Sequence, residues 1–233
     1  MTNTEEIFVS LGGNFLSSFE AIKKTAQITK GYIFDWDGVF NDGYKHGGDG
    51  SPFSEPASMG LNMLRFSTYM RTGITPNLFI LTGENNSSAV ELGRRENFTA
   101  IYKRVKNKSL ALKHVEEVFG VQPNELLFVF DDILDLNVAD ATGLRMMVNR
   151  KASPLLSSKV IREGWADYIT SCQGGDHAVR EICELMIALN ENYDDVVEHR
   201  MAFSSQYQNY LDNRNQVAPQ FFDGSSGQIR VSD

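Results

Sequence analysis

Short apolar runs of four or five residues alternate along the chain with longer stretches in which apolar residues recur every three or four positions. This alternation predicts an α/β fold, a Rossmann-like and mostly parallel sheet with helices on both faces. The predicted strands are Tyr32 to Asp35, Leu78 to Leu81, Leu127 to Phe130, Arg145 to Val148 and Asp167 to Ile169. Helices are predicted near Leu61 to Met70, Ser88 to Arg95, Lys108 to Phe119, Leu136 to Ala141 and Ala178 to Asn190, with another over Phe15 to Ile28 ahead of the first strand. In the helix that begins at Lys108, the residues Leu110, Ala111, Val115, Val118 and Phe119 make a one-sided stripe.

Between these elements, GYKHGGDGSPFSEPAS (43–58) is rich in glycine, proline and serine and reads as a loop or short hairpin beside the first core strand, placed to close over a site. The pattern divides the chain into a helical extension over 1–29, a core over 30–190 and a polar segment over 191–233. That last segment reads as helical through Leu211 and then, over NRNQVAPQFFDGSSGQIRVSD, as a mobile tail anchored only by Phe221 and Phe222.

Composition narrows the partners. A chain of 233 residues with 42% hydrophobic content buries one substantial core plus appended structure. A net charge of −8 and a pI near 5.1 give no electrostatic footprint for nucleic acid, so a small metabolite or a protein is the expected partner. The start MTNTEEIFVS has no basic segment leading into an apolar core, and no run approaches a membrane span, so a cytosolic protein is expected. Cys172 and Cys183 form no CxxC pair and read as buried fillers.

The chemistry-bearing residues sit at the ends of predicted strands. YIFDWDGVFNDG (32–43) delivers Asp35 and Asp37 from an apolar run, with Gly38 permitting a sharp turn that leaves both acids at the sheet edge, where open α/β sheets bind ligands. LFILTG ends in Thr82, a hydroxyl donor for a phosphate oxygen, and Gly83, whose backbone N–H allows close approach. Lys108 stands at a helix start, where fixed positive charge neutralises a transferring phosphoryl group. LLFVFDDILDL ends a buried strand with Asp131 and Asp132 and adds Asp135 a turn later, and three acids so placed invite a hard divalent cation. Taken singly, each signal has a plainer reading: a turn with solvated acids, an ordinary strand end, a solvated lysine, helix-capping carboxylates. Their order along the chain is what favours function. His46, His114, His177 and His199 have no metal-ligand spacing; structural or solvated roles suit them, His177 being the one candidate for substrate contact.

The series DWDGV, LTG, Lys108 and DDILD resembles the four ordered motifs of the haloacid dehalogenase superfamily of phosphotransferases, over roughly residues 30 to 190. No large insertion separates the motifs, which implies the capless branch. The DGVFNDG extension, ADYIT (166–170) and GGDHAVREICELMI (174–187) are similar to 3-deoxy-D-manno-octulosonate 8-phosphate phosphatases and their relatives. The resemblance implies Asp35 as nucleophile and Asp37 as acid and base. It also implies Mg²⁺ held by the Asp35 carboxylate, the Asp37 backbone carbonyl and Asp131, with Asp132 in support, Asp135 orienting Lys108, and Thr82 with Gly83 gripping the phosphoryl oxygens. A homotetramer, in which neighbouring subunits help cover the open site, is implied as well.

Departures fall where the family reads substrate. The chain has TGE, with Glu84, where octulosonate phosphatases show TGR; this resembles phosphatases of nine-carbon keto-deoxy acids, with Arg95 as the basic group further along the helix. Asp176 and His177 replace the family's Arg-Gly, Pro56, Ala57 and Ser58 stand in place of RDG, and Phe130 stands where a glycine is usual. The implied substrate is an octulosonate 8-phosphate or a nonulosonate 9-phosphate. Two other readings stay open: a scaffold that keeps the phosphatase core without turnover, and a receiver-like phospho-aspartate module, although a receiver takes its phosphorylated aspartate from a later strand.

Overall fold

A computed structural model describes residues 3–46 and 50–232; residues 47–49, part of the predicted loop at 43–58, lie outside the described residues. The parallel heart of the sheet is built from β2 (Gly31–Phe34), β3 (Asn77–Leu81), β4 (Ala100–Lys103), β5 (Leu126–Phe130), β6 (Leu144–Met147) and β7 (Tyr168–Ile169). Every residue of β2 and β5 is buried, as strands covered on both faces must be. Side chains alternate between two cores. Tyr32, Phe34, Leu78, Ile80, Leu127 and Val129 face one layer, and Ile33, Phe79, Leu81, Phe128 and Phe130 face the other.

Helices complete both layers. The first is closed by α2 (Phe19–Ile28), α3 (Glu55–Thr72), α4 (Ser87–Arg95) and α8 (Ala178–Leu189). The second is closed by α5 (Ser109–Phe119), α6 (Leu136–Ala141) and α7 (Pro154–Glu163). Helix α3 starts earlier than its apolar pattern predicts because the Ser54 side chain accepts from the Ala57 N–H and Pro56 occupies the first turn. The predicted loop at 43–58 therefore ends at Ser54.

Strand order across the sheet is β6, β5, β2, β3, β4, with β2 in the middle. The chain leaves β2 toward β3 and β4, then crosses back to build β5 on the other side of β2. This reversal makes the carboxyl ends of β2 and β5 a switch point, the place where an open α/β sheet forms a crevice.

Several elements were not predicted. Helix α1 (Asn3–Ser10) is anchored by Phe8, and β1 (Asn14–Phe15) pairs antiparallel with β7 in a stretch read as helix. Strand β4 and helix α7 are also additional, whereas α9 (Tyr193–Met201) and α10 (Ser205–Asn215) form in the polar segment that reads as helical through Leu211.

The end of the chain corrects the mobile-tail reading. Strands β8 (Gln220–Asp223) and β9 (Arg230–Ser232) extend the sheet, β8 parallel to β4 and β9 antiparallel to β8. Phe222, 3% exposed, stacks on Tyr102 with ring centroids 5.0 Å apart and meets His114 at 4.6 Å. Phe222→Ala is expected to lower the unfolding free energy by about 3 kcal/mol, as for other buried phenylalanines. Urea denaturation reads this directly, and a loss below about 1 kcal/mol would mean that the segment is held only loosely. Among the described residues, no helix is long and apolar enough to cross a membrane.

Candidate active site

The backbone ladder aims the site residues. Asp35 N donates to Val129 O at 2.9 Å, carrying the β2–β5 pairing one residue past the strand, and Thr82 N donates to Tyr102 O at 2.9 Å in the same way from β3. Asp35, Thr82 and Asp131 thus emerge side by side at the switch point. Gly38 takes a left-handed φ of +86°, and any side chain there would overlap the Asp131 carboxylate and the Arg150 guanidinium.

Lys108, 3% exposed, lies between two carboxylates, with Nζ 2.5 Å from both Asp35 Oδ1 and Asp135 Oδ1. Asp35, Asp131 and Asp135 are all buried, and each offers a carboxylate oxygen within 4.8 Å of the others. A cavity of about 230 Å³ opens above them and is also lined by Asp37, Gly83 and Glu84.

The electrostatics follow from burial. It raises the Asp35 carboxyl well above its usual range; Asp135 adds to the rise, and Lys108 opposes it without cancelling it. For Lys108 the balance is reversed: burial disfavours its charge, but the carboxylates of Asp35 and Asp135 outweigh that and raise its pKa. Burial takes the Asp131 carboxyl up to about 7 against the pull of Arg150, with Asp135 reinforcing the rise.

Asp37 is set apart from this cluster. Burial tends to raise its pKa, but contacts from Lys45, Ser51 and Asn86 prevail and hold it below the usual carboxylate range. Ser51 Oγ donates to Asp37 Oδ1 at 2.7 Å, Asn86 Nδ2 donates to Oδ2 at 3.0 Å, and Lys45 Nζ pairs with Oδ2 at 2.5 Å.

The donor set fits a hard divalent cation. All three clustered side chains are carboxylates, and Asp131 Oδ1 is buried without a hydrogen-bond partner among the described residues. Asp132, read from sequence as supporting the metal site, lines the cavity at its exposed side, where its carboxylate accepts from the Ile133 N–H at 2.7 Å and caps a short 3₁₀ turn. Asp135, which pairs with Lys108, is the third buried acid of the cluster.

A pH signature follows. A carboxyl whose folded pKa lies above its unfolded value binds extra protons when folded, so its contribution to stability is complete below about pH 4 and is lost as pH rises through about 7. Cation binding requires the ionised form and opposes that loss. The rise in melting temperature given by saturating Mg²⁺ is therefore expected to be small at pH 5 and to grow through pH 7, with protons released on binding. Thermal melts with and without Mg²⁺ measure it, and a pH-independent increment would contradict the buried-acid cluster.

The other sequence-read residues divide between cavity and surface. Thr82 is fully buried, and its hydroxyl oxygen accepts from Asn86 Nδ2 at 2.9 Å and Glu84 N at 3.2 Å. The Glu84 carboxylate, at the cavity rim, forms an exposed pair with Lys106 at 2.6 Å. Arg95 is not brought to the site. The nine residues of α4 carry it about 12 Å along the helix axis, where both terminal nitrogens pair with Glu55 at 2.6 Å. His177 and Asp176 line a different groove, of about 990 Å³, bordered by α1 and α8. The His177 ring contacts Ser54 Oγ at 3.0 Å.

Lys45, Ser51, Asn86 and Arg150 were missed from sequence. Asn86 occupies the N-cap position of α4, a standard cap signal, but its side chain makes no cap bond and serves Asp37 and Thr82 instead. Ser51 is placed by its own carbonyl, which accepts from the buried Trp36 Nε1 at 3.1 Å.

No model of a known protein family matches the chain. It is similar to the 3-deoxy-D-manno-octulosonate 8-phosphate phosphatase KdsC of Escherichia coli K12, with 28% identity over 165 residues, covering 70% of this chain and 81% of that protein. KdsC of Yersinia pestis is 27% identical over 177 residues, covering 75% and 88%. The crystal structure of the Yersinia pestis phosphatase superposes with a TM-score of 0.63 at 26% identity, covering 75% of this chain and 89% of that one. The Moraxella catarrhalis phosphatase, solved with magnesium ion, phosphate ion and KDO, shares the fold with a TM-score of 0.64 at 24% identity, covering 80% and 100%. With its ordered motifs converging at one switch point of a capless α/β sheet, the chain is similar in both sequence and fold to haloacid dehalogenase phosphatases of the KdsC type.

Proposed function

We propose that the chain hydrolyses a small phosphorylated keto-deoxy sugar acid, of the octulosonate 8-phosphate or nonulosonate 9-phosphate type, through an aspartyl-phosphate. The observation that carries the chemistry is the buried Lys108 bridging Asp35 and Asp135 beside Asp131. The similarity to KdsC supports the substrate class.

In this reading an Asp35 carboxylate oxygen attacks phosphorus, the bond from phosphorus to the sugar oxygen breaks, and Asp37 delivers a proton to the departing oxygen. Asp37 then takes a proton from water, which attacks phosphorus and breaks its bond to Asp35, regenerating the carboxylate and releasing phosphate. The three-way hold on Asp37 suits the second step, in which it must be ionised; in the first step Lys45, half-exposed, has to release it. Thr82, with its hydroxyl fixed by Asn86, and the Gly83 N–H orient the phosphoryl oxygens. Lys108 neutralises charge on the transferring group, and Asp135 holds Lys108 in place. Asp35, Asp131 and the Asp37 carbonyl would hold a divalent cation, which would supply positive charge to neutralise the phosphoryl group.

The cavity of about 230 Å³ is smaller than the roughly 300–1,000 Å³ of typical small-molecule sites. It suits the phosphoryl end of a substrate and leaves the sugar acid to a neighbouring surface, which a second copy of the chain supplies in a homotetramer. Light scattering tests that assembly, and a fully active monomer would refute it. The substrate reading is tested by phosphate release, with Mg²⁺, from octulosonate 8-phosphate, nonulosonate 9-phosphates, hexose phosphates and an aryl phosphate. Selective turnover of a sugar acid phosphate is expected. Activity on the aryl phosphate alone would sink the substrate class, and no turnover at all would favour the scaffold.

A further inference from the structure

Beyond β6 the chain is held in extended form by Val148 N donating to Phe130 O at 2.7 Å and Asn149 N donating to Thr170 Oγ1 at 3.0 Å. The next residue, Arg150, is thereby delivered across the mouth of the acid-lined cavity. Its guanidinium pairs with Asp131 Oδ2 and passes over Gly38, where the lack of a side chain makes room for it. The Asp131 side chain is 1% exposed and that of Arg150 31%, so the guanidinium reaches inward from a solvent-facing rim.

The charges of the site are unevenly shared. Lys108 serves Asp35 and Asp135, which leaves Arg150 as the cationic partner of Asp131. A divalent cation and the guanidinium are thus alternatives for one carboxylate. Once a cation takes Asp131, the other acids lining the cavity are engaged elsewhere or face solvent: Asp37 is held by Lys45, Ser51 and Asn86, Glu84 pairs with Lys106, and the exposed Asp132 carboxylate accepts from the Ile133 N–H. An arginine fork at the rim of this cavity, with several donors in one plane, matches a substrate oxyanion.

We propose that Arg150 is a substrate-binding residue that the metal switches on: a divalent cation displaces it from Asp131, and it then clamps an oxyanion of the substrate, on the phosphoryl group or on the sugar-acid carboxylate. This deepens the phosphatase reading and rests on it. Isothermal titration calorimetry on the full chain tests it, using Mg²⁺ alone and then, at saturating Mg²⁺, inorganic phosphate and a keto-deoxy sugar acid lacking phosphate.

In Arg150→Gln, Mg²⁺ alone is expected to bind several-fold more tightly, because its competitor is gone. At least one of the two anions is expected to bind about tenfold more weakly, the fold-change of one charge-assisted hydrogen bond. A loss confined to phosphate assigns the clamp to the phosphoryl group, and a loss confined to the sugar acid assigns it to the carboxylate. Arg150→Lys should keep the competition with Mg²⁺ and recover part of the anion affinity. Unchanged Mg²⁺ affinity, or unchanged affinity for both anions, in Arg150→Gln with a wild-type melting profile overturns the proposal. If wild type itself binds neither Mg²⁺ nor phosphate, the phosphatase reading falls with it, whereas wild-type binding that Arg150→Gln leaves intact removes only the role of Arg150.

Discussion

Asp35→Asn is expected to lower phosphate release by about 10⁴-fold or more while leaving the protein as stable as wild type or more so. The size of the loss follows from chemistry, since an amide is a poor nucleophile and forms no acyl phosphate, and removing a nucleophile costs on this order. The retained stability follows from burial, which already raises the Asp35 carboxyl well above its usual range. A neutral isostere is therefore tolerated there, and Lys108 keeps Asp135 as a partner at 2.5 Å. Turnover and thermal melts on the same preparation check both halves. Residual activity above about 1% of wild type would move the nucleophile elsewhere, and a collapsed melting curve would mean that the Asp35 contact to Lys108 is structural.

Lys108→Met should unfold more easily by about 3–5 kcal/mol at pH 7.5, in addition to losing turnover, because it strands two buried carboxylates without their shared cation. The methyl thioether replaces most of the volume, so the loss reports charge and not a cavity. The defect should shrink toward pH 5, where Asp35, with its raised pKa, takes up a proton and no longer needs the cation. Urea denaturation at the two pH values measures this. A destabilisation below about 1 kcal/mol at pH 7.5, or one that grows as pH falls, would contradict the bridging geometry.

How far the chain could be read follows from where the information lies. Strands β2, β3, β5, β6 and β7 were legible because burial on both faces demands apolar runs of that length. Helix α7 carries its own boundary signals, Pro154 at its first position and Gly164 in left-handed conformation after its end, but its apolar face is too narrow to give a helical stripe, with Val160 its one buried residue. Strand β4 has only four residues, ends in a lysine and is stabilised largely by β3 and β8, which lie on either side of it. The β8–β9 hairpin contains the turn-forming DGSSG, but its parallel docking on β4 depends on residues over a hundred positions away.

The α/β class and the order of Asp35, Thr82, Lys108 and Asp131 are legible along the chain: strand pairing at one switch point brings Asp35, Thr82 and Asp131 together wherever the fold forms, and the start of α5 adds Lys108. Tertiary structure decided how the polar groups are shared. Asn86 left its cap role to tie Asp37 to Thr82, Asp135 and not Asp132 joined the buried acids, α4 carried Arg95 away from the cavity, and Arg150 arrived from the end of β6. The physical reason is one of range. Apolar periodicity and strand ends are local properties written every two to four residues, whereas the partner of a buried charge is whichever group the packed chain sets within about 3 Å of it.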